Sequence, residues 1–299
     1  MSETSAASQL GIPAAWRSAL PPWLGGDAPV VPVVRLGGMI GMNAPLRPGL
    51  SLAACARMLD RAFAYRNAKA VALAINSPGG SAAQAHLIFA RIRQLSESKK
   101  LPVIAFVEDV AASGGYMIAC AADEIIADEY SIVASIGVVG GSFGFAKLLE
   151  KIGVERRLYT SGEHKAMLDP FLPEDEDDVA RLKAIQREIH DDFIALVRHS
   201  RGSRLNEAGG ADLFSGEYWT GRRGLALGLV DGLGDLRTTL RARFGDKVRI
   251  PLVGGARNLF GRPVPGVSAA GWSPFSRRTP AEDWIATLES QALWSRYGL

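Results

Sequence analysis

Residues 70–81 read Ala-Val-Ala-Leu-Ala-Ile-Asn-Ser-Pro-Gly-Gly-Ser. An uncharged apolar run with β-branched Val71 and Ile75 passes directly into a cluster of Asn, Ser, Pro and Gly, the pattern of a short buried strand that ends in a turn. The next segment has another period. Across Ala82–Leu95 the apolar residues Leu87, Ile88, Ile92 and Leu95 recur at helical spacing. A buried strand that turns straight into a helix is one step of a parallel βαβ unit, so this stretch points to a layered α/β fold.

The same alternation extends to both sides. Val30–Leu36 and Val103–Val107 are further strand-like runs, and Leu52–Tyr65 carries a helical pattern between the first two strands. The order βαβαβ implies right-handed crossovers over one sheet. Pro32 lacks a backbone donor and predicts that the first strand lies at a sheet edge. Downstream, Phe145–Ile152 reads as a helix and Val154–Tyr159 as a short extended segment. Pro173 followed by Glu-Asp-Glu-Asp-Asp opens a long helix continued by Val179, Leu182, Ile185, Ile189, Phe193 and Leu196. The acidic run is thus expected to be a solvated helix start and not a metal site. After Val253 the composition turns to Gly, Pro, Arg and Ser up to Pro280, and Ala281–Tyr297 has the pattern of a last helix. The expected division is an N-terminal extension (1–29), a core (30–253) and a tail with a terminal helix (254–299).

A chain of 299 residues with 47% hydrophobic content can bury one large core. Lysine and arginine number 34 against 31 acidic residues, a net charge of +3. No basic stripe is concentrated along the sequence, and nucleic acid is not an expected partner. Cys55 and Cys120 stand far apart in apolar surroundings, which predicts buried free thiols. Residues 1–29 carry no basic segment followed by an apolar one, so no signal peptide is expected. Of the long uncharged stretches, 70–90 is broken by Asn-Ser-Pro-Gly-Gly. The other, 130–146, contains four glycines and is short of the roughly 20 apolar residues that a spanning helix needs. No transmembrane segment is expected; the expected location is the cytoplasm, with peripheral membrane contact left open.

A second glycine turn, Asp109-Val-Ala-Ala-Ser-Gly-Gly-Tyr116, comes after the third strand. Parallel strands place both turns at the same carboxyl-end edge, where α/β proteins form their ligand sites. Backbone N–H groups from two such turns can serve one oxyanion, although an ordinary tight turn accounts for the first equally well. A nucleophilic Ser113 needs a base. His86, His190 and His199 fall in helical patterns and His164 on a loop, none in a catalytic pattern; a Ser-His-Asp arrangement stays as the alternative. Lys165, in Thr-Ser-Gly-Glu-His-Lys (160–165), is the better candidate. A lysine acts as a base only where burial or dipoles lower its pKa from about 10.4; otherwise it is a surface charge.

Ser77-Pro-Gly-Gly80, Ala111-Ala-Ser-Gly-Gly-Tyr116, Ala134-Ser-Ile-Gly-Val138, Ser161-Gly-Glu-His-Lys165 and the segment Trp219–Asp231 together resemble, in order and spacing, the signal peptide peptidase A family of serine-lysine peptidases. The resemblance spans roughly Val30 to Phe244. It implies the Clp protease/crotonase-like fold of stacked ββα units around a single catalytic core, and a serine endopeptidase acting through an acyl-enzyme. Ser113 would be the nucleophile and Lys165 the general base. The N–H groups of Gly79, Gly80 and Gly114 would form the oxyanion hole, and Ser135 would orient the lysine amine, unless its hydroxyl only closes a local turn. No metal or organic cofactor is implied. The substrate would be a peptide or protein, extended and with small or apolar side chains near the Gly- and Ala-rich turns. The partner would be the chain itself, in a ring-shaped homo-oligomer whose neighbours share active sites. The family's usual membrane anchor is not expected here. Two rival classes are a crotonase-like acyl-CoA enzyme, which would use the same backbone donors without Ser113 or Lys165, and a non-catalytic scaffold.

Overall fold

Strands β1 (Val33–Gly37), β2 (Val71–Ser77) and β3 (Val103–Ala112) lie parallel and adjacent, joined by helices α1 (Leu52–Phe63) and α2 (Ala82–Lys99). The computed structural model describes residues 28–41, 49–207, 211–254, 291–292 and 294–297. The N-terminal extension over 1–27 and the linker beyond 254 therefore lie outside the described residues. So does most of the expected last helix, which is helical at 291, 292, 294 and 295.

Both crossover helices begin where the sequence supplies a cap. The Ser51 hydroxyl accepts from Ala54 N–H and the Ser81 hydroxyl from Gln84 N–H, each satisfying a donor that the first turn leaves open. The Gln84 side chain in turn accepts from Leu52 N–H and so links the two helix starts. Cys55, Leu59 and Phe63 of α1 and Ile88, Ile92 and Leu95 of α2 pack onto Val71, Leu73 and Ile75 of β2. Each Leu or Ile so buried contributes about 1.5–3 kcal/mol. The other face of β2, Ala70, Ala72 and Ala74, meets Ile104, Phe106 and Leu240. Burial on both faces is why this strand reads as a continuous apolar run and does not alternate.

The chain continues with α3 (Gly114–Ala119), β4 (Glu124–Ala127), β5 (Ile132–Ala134), α4 (Ala146–Lys151), α5 (Glu176–Arg201), β6 (Tyr218–Thr220), α6 (Gly221–Ala226), β7 (Gly232–Leu233), α7 (Leu236–Phe244) and β8 (Leu252–Val253). The sheet runs β6-β5-β3-β2-β1-β8, with β4 also on β3 and β7 on β4. β3 serves two partners in succession: Ile104–Val107 pairs with β4, and Val110–Ala112 with β5. The pairing of β5 with β6 is antiparallel. The expectation that β1 is an edge strand is overturned, because β8 pairs with Val33 and Val34 on its outer side. Pro32 sits just before the strand; its neighbours Val31 and Val33 donate to Arg249 and Pro251, so the missing donor costs little at this start of the ladder. Val154–Tyr159 has no strand partner, and its side chains are exposed.

Residues 137–175 form an arm that stands off the core. Helix α4 buries no side chain. Val139, Phe143, Ile152 and Tyr159 are exposed, the last two by 61% and 90%. Within the arm Phe145 stacks on Phe171 at 5.5 Å, and Arg156 lies over the Phe171 ring. The long helix α5 returns the chain to the core. Asp175 caps it by accepting from Asp178 N–H, as its acidic start predicts. At its other end Arg201, 1% exposed, makes two hydrogen bonds to Asp231 at 2.8 and 2.9 Å and two to the Gly228 carbonyl. Asp231 also accepts from Ile125 N–H. This buried pair ties α5 to β4 and to the Leu-Val-Asp segment after α6.

Candidate active site

The turn between β3 and α3 answers why Ser113 stands between two alanines and two glycines. Ser113 has φ 52° and ψ −121°, a conformation that L-residues rarely adopt. Its N–H donates to Ala134 O at 2.7 Å, and its carbonyl accepts from Met117 N–H inside α3. The neighbouring backbone is packed so closely that side chains are excluded. A Cβ on Gly79 would sit 2.8 Å from Ser113 Cβ, and one on Gly115 would lie 2.5 Å from the Ser77 carbonyl oxygen. The result is a half-buried serine presented at the strand end on a sharp bend.

The Ser77–Gly80 turn lies against this bend. The Ser77 hydroxyl donates to Gly38 O at 2.7 Å and accepts from Gly79 N–H at 3.3 Å. Gly79 O accepts from Ile40 N–H, and Ile40 O from Ser81 N–H. The Gly79 donor is thus used inside the turn. Among the described residues, the N–H groups of Gly80 and Gly114 have no acceptor. The position of a Cβ on Gly114 is 3.7 Å from Gly80 N, so the two open donors belong to one small volume beside Ser113.

Ser135 is brought to the same corner. Ala112 of β3 is paired with Ala134 of β5, and Ala134 and Ser135 both have positive φ, 78° and 51°. Ser135 is 7% exposed; its N–H donates to Glu217 O, and its hydroxyl donates to Gly216 O at 3.3 Å. Tyr297 Oη lies 3.5 Å from Ser135 Oγ. The Ile136 carbonyl is held at 3.0 Å by His190 Nε2 on α5.

Lys165 lies elsewhere. It sits in the turn after Gly162 on the arm, exposed, and among the described residues its ammonium has neither a hydrogen bond nor an ion pair. No hydrogen bond joins it to Ser113 or Ser135. The histidines do not take its place: His86 stacks on Phe89, and no histidine bonds to Ser113 among the described residues. No group of three or more His, Cys, Asp or Glu there could hold a metal ion, and no helix there is long and apolar enough to cross a membrane.

Two features escape sequence reasoning. Gly216 and Glu217, which hold Ser135, carry no signal beyond their position just before the Trp219 segment. The Arg201–Asp231 pair joins residues from separate elements, and neither has a local pattern that names its partner. Burial also governs the thiols: it pushes Cys120, beside this pair, up to about 12, and Cys55, on α1, up to about 11. Tyr116, whose hydroxyl donates to Leu229 O at 2.7 Å, is likewise raised well above the ordinary tyrosine value by burial.

Known proteins share this arrangement of sequence. The chain is 52% identical over 273 residues to a protein of Brucella abortus named Na(+)/H(+) antiporter NhaA, covering 90% of this chain and 37% of that protein. It is 32% identical over 237 residues to the chloroplastic serine protease SPPA of Arabidopsis thaliana, covering 77% of this chain and 34% of that one. The chain thus spans little more than a third of the length of these relatives. Among solved structures, it is similar to a mutant of the 1510-N membrane-bound stomatin-specific protease in complex with a substrate peptide. That likeness has 18% identity and a TM-score of 0.48, over 77% of this chain and 94% of the other. Residues 95–246, just over half of the chain and including Ser113, Ser135 and Lys165, match the sequence profile of peptidase family S49. With the mainly parallel α/β sheet and its paired glycine turns, the architecture is the Clp protease/crotonase-like fold expected from the sequence, and the chain belongs to peptidase family S49.

Proposed function

We propose that this chain is a serine endopeptidase in which Ser113 attacks the peptide carbonyl and Lys165 of a neighbouring copy acts as general base. The observation that carries the reading is the strained serine beside two open backbone donors. Strain of about 1–3 kcal/mol persists only where the surroundings enforce it, and it clusters at functional sites. A crotonase-like thioester enzyme would use the two donors but has no need of a serine held in that conformation.

The chemistry follows from this arrangement. A neutral lysine amine takes the Ser113 proton as Oγ bonds to the carbonyl carbon, and the carbonyl electron pair moves onto oxygen. Gly80 and Gly114 N–H groups then face the oxyanion, each good donor stabilising it by about 3–4 kcal/mol. Collapse breaks the C–N bond, and the ammonium gives its proton to the leaving amine. Water repeats the sequence on the acyl-enzyme and releases Ser113. Ser135 orients the amine from the same corner. Gly79, whose N–H is engaged with Ser77, shapes the turn and leaves the donation to the other two.

The lysine of the same chain lies on an arm covered with exposed apolar side chains, and a patch of that kind marks a contact surface. A closed ring of head-to-tail contacts would cover it and bring a neighbour's Lys165 to Ser113. The catalytic core in this reading is residues 30–253. The substrate is an extended peptide with small or apolar side chains near the bend. The cytoplasm is the location proposed, which two free thiols suit. The antiporter name of the Brucella relative is not carried over, since this chain corresponds to 37% of that protein.

The test is subunit mixing. Ser113→Ala and Lys165→Ala chains should each be folded and inactive. Mixed in equal amounts and reassembled, they should recover about a quarter of the wild-type junctions, because each junction draws its serine and lysine from different chains. Turnover retained by folded Ser113→Ala protein would overturn the nucleophile, and no recovery in demonstrably mixed rings would overturn the shared site.

A further inference from the structure

The end of the chain rests on the corner that holds Ser135. Tyr218 Oη, on the sheet-edge strand β6, donates to Arg296 O at 3.1 Å. The Tyr297 ring meets the Tyr218 ring edge-on, with centroids 5.2 Å apart. Tyr297 Oη reaches within 3.5 Å of Ser135 Oγ, and Tyr297 N–H closes a turn onto Trp294 O. Backbone, ring and hydroxyl thus all engage one small surface. Ser135 Oγ spends its own proton on Gly216 O, so what it offers outward is its lone pairs. Tyr297 presents a donor to them.

A lysine amine held by Ser135 must approach the same lone pairs as a donor. From this geometry we infer that residues 294–297 act as a cis-acting plug of the Ser135 corner, competing with the lysine for the place from which it serves Ser113. The inference rests on the peptidase reading and adds regulation to it. The tail opposes assembly of the dyad, and a neighbour's lysine arriving at Ser135 displaces Tyr297. Tethering gives the plug the high effective concentration of an intramolecular ligand, so a contact this small suffices to bias the site.

Competition for the lysine's place has a kinetic signature that blockage of the substrate path does not share. It lowers the fraction of assembled sites, and hence kcat, while leaving KM unchanged. The experiment compares full-length wild-type, Tyr297→Ala and Tyr297→Phe chains on a fluorogenic peptide. Tyr297→Ala should raise kcat about three- to tenfold, the factor matching the loss of one aromatic pair and one weak hydrogen bond, with KM unchanged. Tyr297→Phe, which keeps the ring, should rise less. Unchanged kcat in Tyr297→Ala, or a change confined to KM, would overturn the inference. A second measurement judges docking without catalysis: fluorescence anisotropy of a labelled peptide of residues 290–299 added to full-length Tyr297→Ala protein, with and without Tyr218→Ala. Binding that is lost with Tyr218→Ala supports the plug, and no binding refutes it. Absence of turnover in every chain would instead defeat the peptidase reading, leaving anisotropy to decide the docking.

Discussion

If Ser113 is held under strain for function, removing its side chain entirely should stabilise the protein while removing only its hydroxyl should not. Ser113 adopts φ 52° and ψ −121°, where a Cβ meets the backbone on either side; such conformations cost about 1–3 kcal/mol in a residue other than glycine. Ser113→Ala keeps the Cβ and therefore the strain. Ser113→Gly relieves it, but the unfolded chain gains freedom worth about 0.4–1 kcal/mol. The net difference between the variants is about 0.5–2 kcal/mol in favour of glycine. For a folded region of roughly 150–250 residues, each kcal/mol moves Tm by about 2–4 °C. Ser113→Gly is accordingly expected to melt about 1–8 °C above Ser113→Ala in paired calorimetric scans at one protein concentration, with both variants inactive. Equal melting temperatures, or a lower one for glycine, would show that the bend is not strained and would remove the observation on which the proposed function rests.

Two other predictions concern the buried groups behind the site. Burial raises the Cys55 thiol to about 11 and Cys120 to about 12. Neither should therefore react with a disulfide reagent at pH 8 in the folded protein, and both should react after denaturation; rapid native labelling of either would contradict the packing around α1 and α3. At Asp231, burial works to raise the pKa, but the Arg201 hydrogen bonds, Ile125 N–H and the Arg201 and Arg204 charges outweigh it and hold the carboxyl below its ordinary value. Its contribution to stability is thus complete above the unfolded value of about 3.9 and lost as pH falls through the lower folded value. Asp231→Asn leaves Arg201 as a buried unpaired charge and should cost about 3–5 kcal/mol at pH 7, while flattening the decline in denaturant-measured stability below about pH 4. Parallel acid declines in the two proteins would exclude this pair as the titrating group.

The parts of the fold legible in the sequence are those whose burial is decided by one strand and its neighbours. Ala70–Ile75 is apolar on every residue because two layers cover β2, and period and composition reveal that directly. The edge assignment of β1 failed for a reason of scale: β8 contributes only Leu252 and Val253, too short a run to have a period. The strands β5 and β6, three residues each, are set by their ladder partners and by the placement of Ser135. The glycine turns around Ser113 were legible for a local reason. Gly79, Gly80 and Gly115 are required by backbones that approach too closely for a Cβ, and such a requirement is written at the position where it acts.

The lysine side is of another kind. Among the described residues the Lys165 side chain has no partner: its turn is exposed, α4 of the same arm buries no side chain, and Val139, Phe143, Ile152 and Tyr159 are exposed. A core would normally cover such residues, since each large apolar side chain left in water forgoes about 1.5–3 kcal/mol. The arm therefore has the energetics expected of half an interface, which is what the proposed ring would complete. A sequence motif can single out Lys165 because a motif is local, but it cannot place the lysine, whose position in the proposed reading is a property of the assembly. The structure separates the two halves in the same way. The bent serine and its two open donors lie in one chain, whereas the proposed base sits on an exposed arm and the Ser135 corner meets the chain's own Tyr297. Under the proposed shared site, such a division would confine full nucleophilicity to the assembled form, and an isolated chain would carry a bent serine without the amine that would activate it.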